Sequence, residues 1–169
     1  DDGLDSILSE SAGDAIYLGV DSDEPRLRSG IHALRNIQDI SIVAVPGQTT
    51  VGVQTGLINH CENDRYRFAV LDAHAPNRDT LADVQLQRQA FDSKYAALYH
   101  PWLTIPEPLP ENLSSIRQMP IPPSGHMMGV YARVDNNRGV HKAPANEVVR
   151  GITGLNRSLN KREQDILNP

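Results

Sequence analysis

The sequence predicts an α/β domain built on a mostly parallel βαβαβ sheet covered by helices. Three observations predict it. Three runs rich in β-branched or aromatic residues occur at Ile40–Val45, Tyr66–Leu71 and Tyr95–Leu103. Two segments of helical periodicity lie between them, and turn residues mark the joins. Strands that alternate with helices pair in parallel, because each crossover helix returns the chain to the same end of the sheet by a right-handed connection.

Taken in order, residues 1–30 are weakly patterned. Ala15 to Val20 is apolar enough for a short strand, and Asp21 to Pro25 is a loop by composition. Gly30 to Ile37 sets Ile31, Leu34 and Ile37 at helical spacing, which predicts a short helix. Ile40–Val45 has the profile of a buried strand ended by Pro46 and Gly47. Thr49 or Thr50 then supplies a hydroxyl that can accept a bond from an orphan helix N–H. In the helix that follows, Val53, Leu57, Ile58 and Cys61 share one face. Tyr66–Leu71 is the second strand, with Asp72 at its C-terminal end. Arg78 to Phe91 is a second amphipathic helix facing inward through Leu81, Val84 and Phe91, and Tyr95–Leu103 is the third strand.

A Pro-rich link runs from Pro106 to Pro123. Ser124 is a good N-cap for a helix that places Met127, Val130, Tyr131 and Val134 on one side. Val148 to Leu155 is strand-like but broken by Gly151 and Gly154. Asn160 followed by Glu163 makes a capping-box variant ahead of a last helix into Leu167. The expected organisation is an acidic lead-in, or the edge of a partly missing subdomain, over 1–29. An α/β core domain follows over 30–169, truncated at both ends.

Composition narrows the function. Aromatic residues make up only 5% of the 169, so the core rests on Val, Ile, Leu and Ala. No apolar run approaches the ~18 residues that a membrane span needs. The lone Cys61 cannot form an internal disulfide. The net charge of −5 is uneven: residues 1–24 hold eight acidic side chains and no Lys or Arg, so the rest of the chain is slightly basic. No basic stripe with interleaved aromatics appears, which argues against nucleic acid as a partner. Complementary charge between copies is the functional counterpart of that asymmetry.

Several residues invite a chemical reading. Asp72 lies where ligands of open α/β sheets dock, beyond the carboxyl end of a strand, and could hold a metal or act as a base. No second carboxylate joins it, so a local capping role is the simpler expectation. Pro46–Thr50 faintly resembles a phosphate loop but has one glycine and no Gly-Lys-Ser/Thr. His60 and Cys61 are adjacent on a helix and so point about 100° apart, which does not make a dyad. Ser124 with His126 is better read as a helix start beside a histidine than as a nucleophile and its base. The histidines at 32, 60, 74, 100, 126 and 141 never take zinc-ligand spacing. Met127, Met128 and Trp102 are expected in the core. No catalytic, cofactor or metal set emerges. The alternative that the residues leave open is a small α/β enzyme or nucleotide-binding domain using Asp72 and the Pro46–Thr50 turn.

Five segments in order carry a resemblance. They are Ile37 to Gly47, Val53 to Glu62, Arg65 to Asp72, Tyr95 to Trp102, and the block from Pro122-Pro-Ser-Gly through Asn137-Arg-Gly-Val-His-Lys-Ala-Pro-Ala-Asn-Glu147. Together, over roughly Gly30 to Pro169, the chain resembles the sheath subunit of contractile phage tails and related contractile injection systems, including tailocins. The resemblance implies a structural protein, not an enzyme, with no cofactor. Its copies would stack as rings or a helical array around an inner tail tube protein, meeting baseplate and tail terminator proteins. Contraction would drive the tube through a target envelope without consuming nucleotide. The implied location is the virion tail sheath, assembled in the bacterial host cytoplasm. Family members add strands to neighbouring sheets through terminal arms, and this chain shows no evident N-terminal arm. Arg138 and Lys142, in the polar loop after the 127–134 helix, are expected to touch a neighbouring subunit or the tube.

Overall fold

The computed structural model describes residues 10–108 and 117–167. The alternating runs pair as expected. Strands β1 (Ile42–Val43), β2 (Phe68–Asp72) and β3 (Ala96–Tyr99) form a parallel sheet in the order β1-β2-β3. Val43 lies opposite Ala69, Ala69 opposite Ala96, and Asp72 opposite Tyr99. The central strand β2 buries Ala69, Val70, Leu71 and Asp72. β1 is shorter than its apolar run and lies at an edge, with a ladder partner on one side only.

The helices between these strands follow from their caps. Helix α2 (Val51–Asp64) starts at Thr50, whose Oγ1 accepts the Val53 N–H at 3.4 Å. Its expected face is buried: Val53, Leu57, Ile58 and Cys61. Helix α3 (Leu81–Gln89) starts at a capping box in which Thr80 and Asp83 satisfy each other's backbone N–H. The core joins Ile31, Val43, Leu57, Ile58, Cys61, Ala69, Leu71 and Phe91. Truncating one of its larger members to Ala would cost about 2–5 kcal/mol. Side chains alternate across β2: Ala69 and Leu71 join this cluster, while Phe68 meets Tyr131 edge-on at 5.8 Å. Tyr131 belongs to α4 (Ser124–Arg138), which packs on β2 with Val130 and Val134 buried and Met127 half-buried.

Five expectations are corrected. Ala15–Val20 is not a strand: α1 (Glu10–Leu18) covers most of it and ends at Gly19, whose φ is 71°. Its apolar run is too short to set a period, so tertiary contacts decide. The Thr50 hydroxyl donates to Asp14 at 2.5 Å, and Leu18 packs on the core. Gly52 and Gly56 of α2 make this approach feasible, since a Cβ at either would collide with Asp14 or Leu18. The helix expected over Gly30–Ile37 is a 3-10 helix, Gly30–Asn36, with Ile31 buried.

The run Tyr95–Leu103 is not one strand. It breaks at His100-Pro101, a cis peptide, and resumes as β4 (Leu103–Pro106) in a second sheet. Pro101 has no N–H with which to continue a ladder. The Pro106–Pro123 link likewise contains β5 (Gln118–Ile121), while its residues 109–116 lie outside the described residues. β4 is flanked by β5 and by β6 (Gly154–Leu155), both antiparallel, so only the end of the Val148–Leu155 run is strand. Pro120 is tolerated because β5 is an edge. Helix α5 (Lys161–Leu167) begins with the expected box, Asn160 and Glu163 exchanging 2.9 Å bonds.

Candidate functional site

The residue with the best chemical position, Asp72, ends β2 with its side chain 1% exposed. Its Oδ2 accepts the Gly47 N–H at 2.9 Å and the Ser124 hydroxyl at 2.8 Å. Its Oδ1 accepts the Ser124 N–H at 2.7 Å. The backbone carbonyl of Asp72 accepts from Gln54 Nε2 at 2.7 Å and Gln87 Nε2 at 3.2 Å. Gln87 Nε2 also reaches Gln54 Oε1 at 3.0 Å, and its Oε1 accepts the His74 N–H at 2.9 Å. Burial pushes the Asp72 carboxyl upward, while the Gly47 and Ser124 donors pull the other way.

This knot joins the turn after β1, the end of β2, both crossover helices and the start of α4. It also corrects the expected cap. Pro123 occupies the N-cap position and makes no side-chain cap bond, and Ser124 is the first helical residue. Asp72, brought from another strand, supplies the acceptor at the helix N-terminus, where the macrodipole favours an acidic group. Ser124 therefore donates its hydroxyl instead of accepting with it. The Pro46–Thr50 turn points the Gly47 amide at Asp72, not outward as a phosphate cradle would. Gly47 holds φ at 77°, a conformation that favours glycine. The strand-end carboxylate that an α/β sheet would offer a ligand is thus committed to a satisfied polar cluster.

The other chemical candidates separate. Cys61 is fully buried and burial pushes its thiol up to about 12, far from a thiolate nucleophile. His60 faces not Cys61 but Arg67, with Nε2 and Nη1 2.5 Å apart. Arg67 is 1% exposed, precedes β2 and engages all three guanidinium nitrogens. It donates to Asp64 at 2.8 Å, to the Ile40 carbonyl at 3.3 Å and to the Ile37 carbonyl. Ser124 is committed to Asp72, so it has no partnership with His126. Trp102 is half-buried and donates Nε1–H to the Ala73 carbonyl at 2.8 Å. Among the described residues, no group of three or more His, Cys, Asp or Glu could hold a metal ion. No helix there is long and apolar enough to cross a membrane.

Arg138 closes α4 and is exposed, with no ion pair among the described residues. Lys142 folds onto its own loop, Nζ donating to the carbonyls of Ala143 at 2.7 Å and Ala145 at 3.4 Å. The same loop exposes Val140 by 86% and Val148 by 72%. Arg133 ties it back to α4 through the Val148 carbonyl at 2.7 Å and Glu147 at 3.5 Å.

Sequence reasoning missed Gln54, Gln87 and Arg67. A signal was present for each. Gln54 stands at i, with Leu57, Ile58 and Cys61 at i+3, i+4 and i+7, so it lies on the buried stripe. Gln87 follows Val84 by three, and Arg67 interrupts the Tyr66–Leu71 run. A polar residue on an apolar face is a sign of a buried hydrogen-bond network.

The family model for the phage tail sheath protein central domain matches residues 27–169. No curated protein sequence matches the chain. Among solved structures, it is similar to a chain of an extracellular contractile injection system, the PVC sheath complex in its contracted state. That match has 27% identity and a TM-score of 0.64, over 83% of this chain and 38% of that one. It is also similar to a chain of the anti-feeding prophage baseplate, at 23% identity and a TM-score of 0.61, over 96% of this chain and 45% of that one. A third similarity is to the helical sheath of the anti-feeding prophage in its contracted state. It has 23% identity and a TM-score of 0.55, over 89% and 39% of the two chains. The two matches at 23% identity speak for the fold. The chain spans less than half the length of each of these relatives.

Proposed function

The chain belongs to the phage tail sheath family, and we propose that it is the core domain of a longer contractile-sheath subunit. The family match over 27–169 carries this reading. The closed knot around Asp72 supports it, because the position where an α/β enzyme would work is committed to holding elements together. In this reading the protein is not an enzyme and needs no cofactor. Copies of the subunit polymerise as rings or a helical array around an inner tube, and the array meets baseplate and tail terminator proteins. Contraction is a change between two packings of the same interfaces, passed from copy to copy. It drives the tube through a target cell envelope. Assembly takes place in the bacterial host cytoplasm.

The division into a lead-in over 1–29 and a core over 30–169 is part of the same proposal. So is the role of Arg138 and Lys142 at a contact with a neighbouring subunit or the tube. Exposed apolar side chains beside unpaired positive charge make the 138–148 loop a suitable contact surface.

Negative-stain electron microscopy of the full-length parent protein, expressed alone at high concentration, tests the reading. Hollow tubes or stacked rings are expected, and a persistent monomer would overturn it. The double charge reversal R138E/K142E is expected to abolish tubes while leaving the circular dichroism melt unchanged. Unchanged tubes would remove those two residues from the interface.

A further inference from the structure

We propose that Arg67, His60 and Asp64 form an acid-releasable latch that fastens the segment Ile37–Val43 to the central strand. The argument begins with donors and acceptors. Arg67 is a donor only and stays protonated under all ordinary conditions. An imidazole nitrogen 2.5 Å from Arg67 Nη1 can therefore be hydrogen-bonded to it only as an acceptor, with His60 neutral. The two side chains are 0% and 3% exposed, so water cannot stand in for either partner.

What the latch holds is defined by the rest of the guanidinium. Nε donates to the Ile40 carbonyl at 3.3 Å, and Nη2 donates to the Ile37 carbonyl. These carbonyls flank the entry to β1, which itself has only a two-residue ladder with β2. Arg67 thus bridges a weakly paired edge strand to the centre of the sheet, and His60 helps fix its orientation. Protonating His60 would put two cations in direct contact. It would also set them in competition for Asp64 Oδ2, which lies 2.8 Å from Arg67 and 3.4 Å from His60.

The groups around His60 do not cancel this effect. On α2 the group is Asp64, and before β2 it is Arg67. On the 3-10 helix they are His32 and Arg35, which Asp21 engages at 3.7 and 2.8 Å. Asp64 favours the charged imidazole, whereas burial, Arg67, Arg35 and His32 oppose it, and the balance lowers the His60 value below 6.5. The sign follows. Below pH 6.5 an opened segment binds a proton that the closed one refuses, so closure weakens as pH falls until the lower folded value is reached.

The test is amide hydrogen exchange of the chain at pH 7.5 and 5.5, corrected for the intrinsic pH dependence of exchange. Exchange within residues 37–43 is expected to rise several-fold at the lower pH, while β3 amides hold. His60→Gln keeps an acceptor towards Arg67 at every pH and should flatten the response, whereas His32→Gln should keep it. A flat wild-type profile would overturn the latch, as would a His60→Gln profile as steep as wild type. Should His60→Gln not fold, an NMR titration of the wild-type His60 ring decides. A midpoint below 6.5 supports the latch, and one at or above it overturns the latch.

Discussion

Strand β2 carries a buried charge-bearing residue at each end, and the two ends are solved differently. At the C-terminal end Asp72 is met by neutral donors, two backbone amides and a side-chain hydroxyl. At the N-terminal end Arg67 is met by a carboxylate, an imidazole and two carbonyls. Asp64 keeps 19% of its side chain in water, whereas Asp72 and Ser124 are 1% and 0% exposed. The lesson is that a polar residue within a sheet can serve as fastener for several segments at once. Its cost when removed depends on whether its abandoned partners can find water.

That contrast fixes an order of expected effects. Asp72→Ala should be the most damaging, since it removes the acceptor of three donors, two of them on fully buried Ser124, and a loss of about 3–5 kcal/mol is expected in urea unfolding followed by circular dichroism. A loss under 1 kcal/mol, or an unaltered fold that gains a ligand-binding defect, would revive the enzyme alternative. Arg67→Met should cost less, about 2–4 kcal/mol, because Asp64 can hydrate. If it costs more than Asp72→Ala, the argument from water access is wrong. Gln87→Leu leaves the Asp72 carbonyl its bond from Gln54 but removes the Gln87 bonds to the His74 N–H and to Gln54 Oε1, so about 1–2 kcal/mol is expected. Thr80→Ala removes an exposed cap far from either end and should cost about 1 kcal/mol.

The same two ends should also oppose each other in pH. Burial raises Asp72 above 3.8, so its share of stability is greatest below that value and is lost as pH rises through the folded value. His60 is lowered, so its share is present above 6.5 and lost as pH falls. Asp72→Asn should therefore remove the falling limb and leave a stability profile that only rises with pH. Urea midpoints across pH 4 to 8 would read this directly, and a variant profile that still falls would sink it.

The parallel sheet, the two crossover helices and most of the inward-facing residues were legible because period and cap agree: Thr50 with Val53, Leu57 and Cys61, or Thr80 with Val84. The failures share a cause. Ala15–Val20 became helical through Asp14, Leu18 and the bare surface at Gly52 and Gly56, contacts that lie over thirty residues away in sequence. The split of Tyr95–Leu103 depended on which sheet each half would join, and local propensity does not say. At the candidate site, Asp72 was visible as a strand-end carboxylate. Its partners were not, because Ser124 comes from 52 residues downstream and Gly47 from 25 upstream.

Trp102 lends the molecule a natural optical probe. It is the sole tryptophan, and its indole N–H binds the carbonyl of Ala73, the residue next to Asp72. A Cβ at Gly47 would stand 4.0 Å from the same ring. Tryptophan emission from this chain therefore reports one place, the knot at the strand ends, while the far-ultraviolet signal averages over every helix. If the two signals separate along a denaturation curve, the fastener opens on its own. If they coincide, it opens with the whole domain.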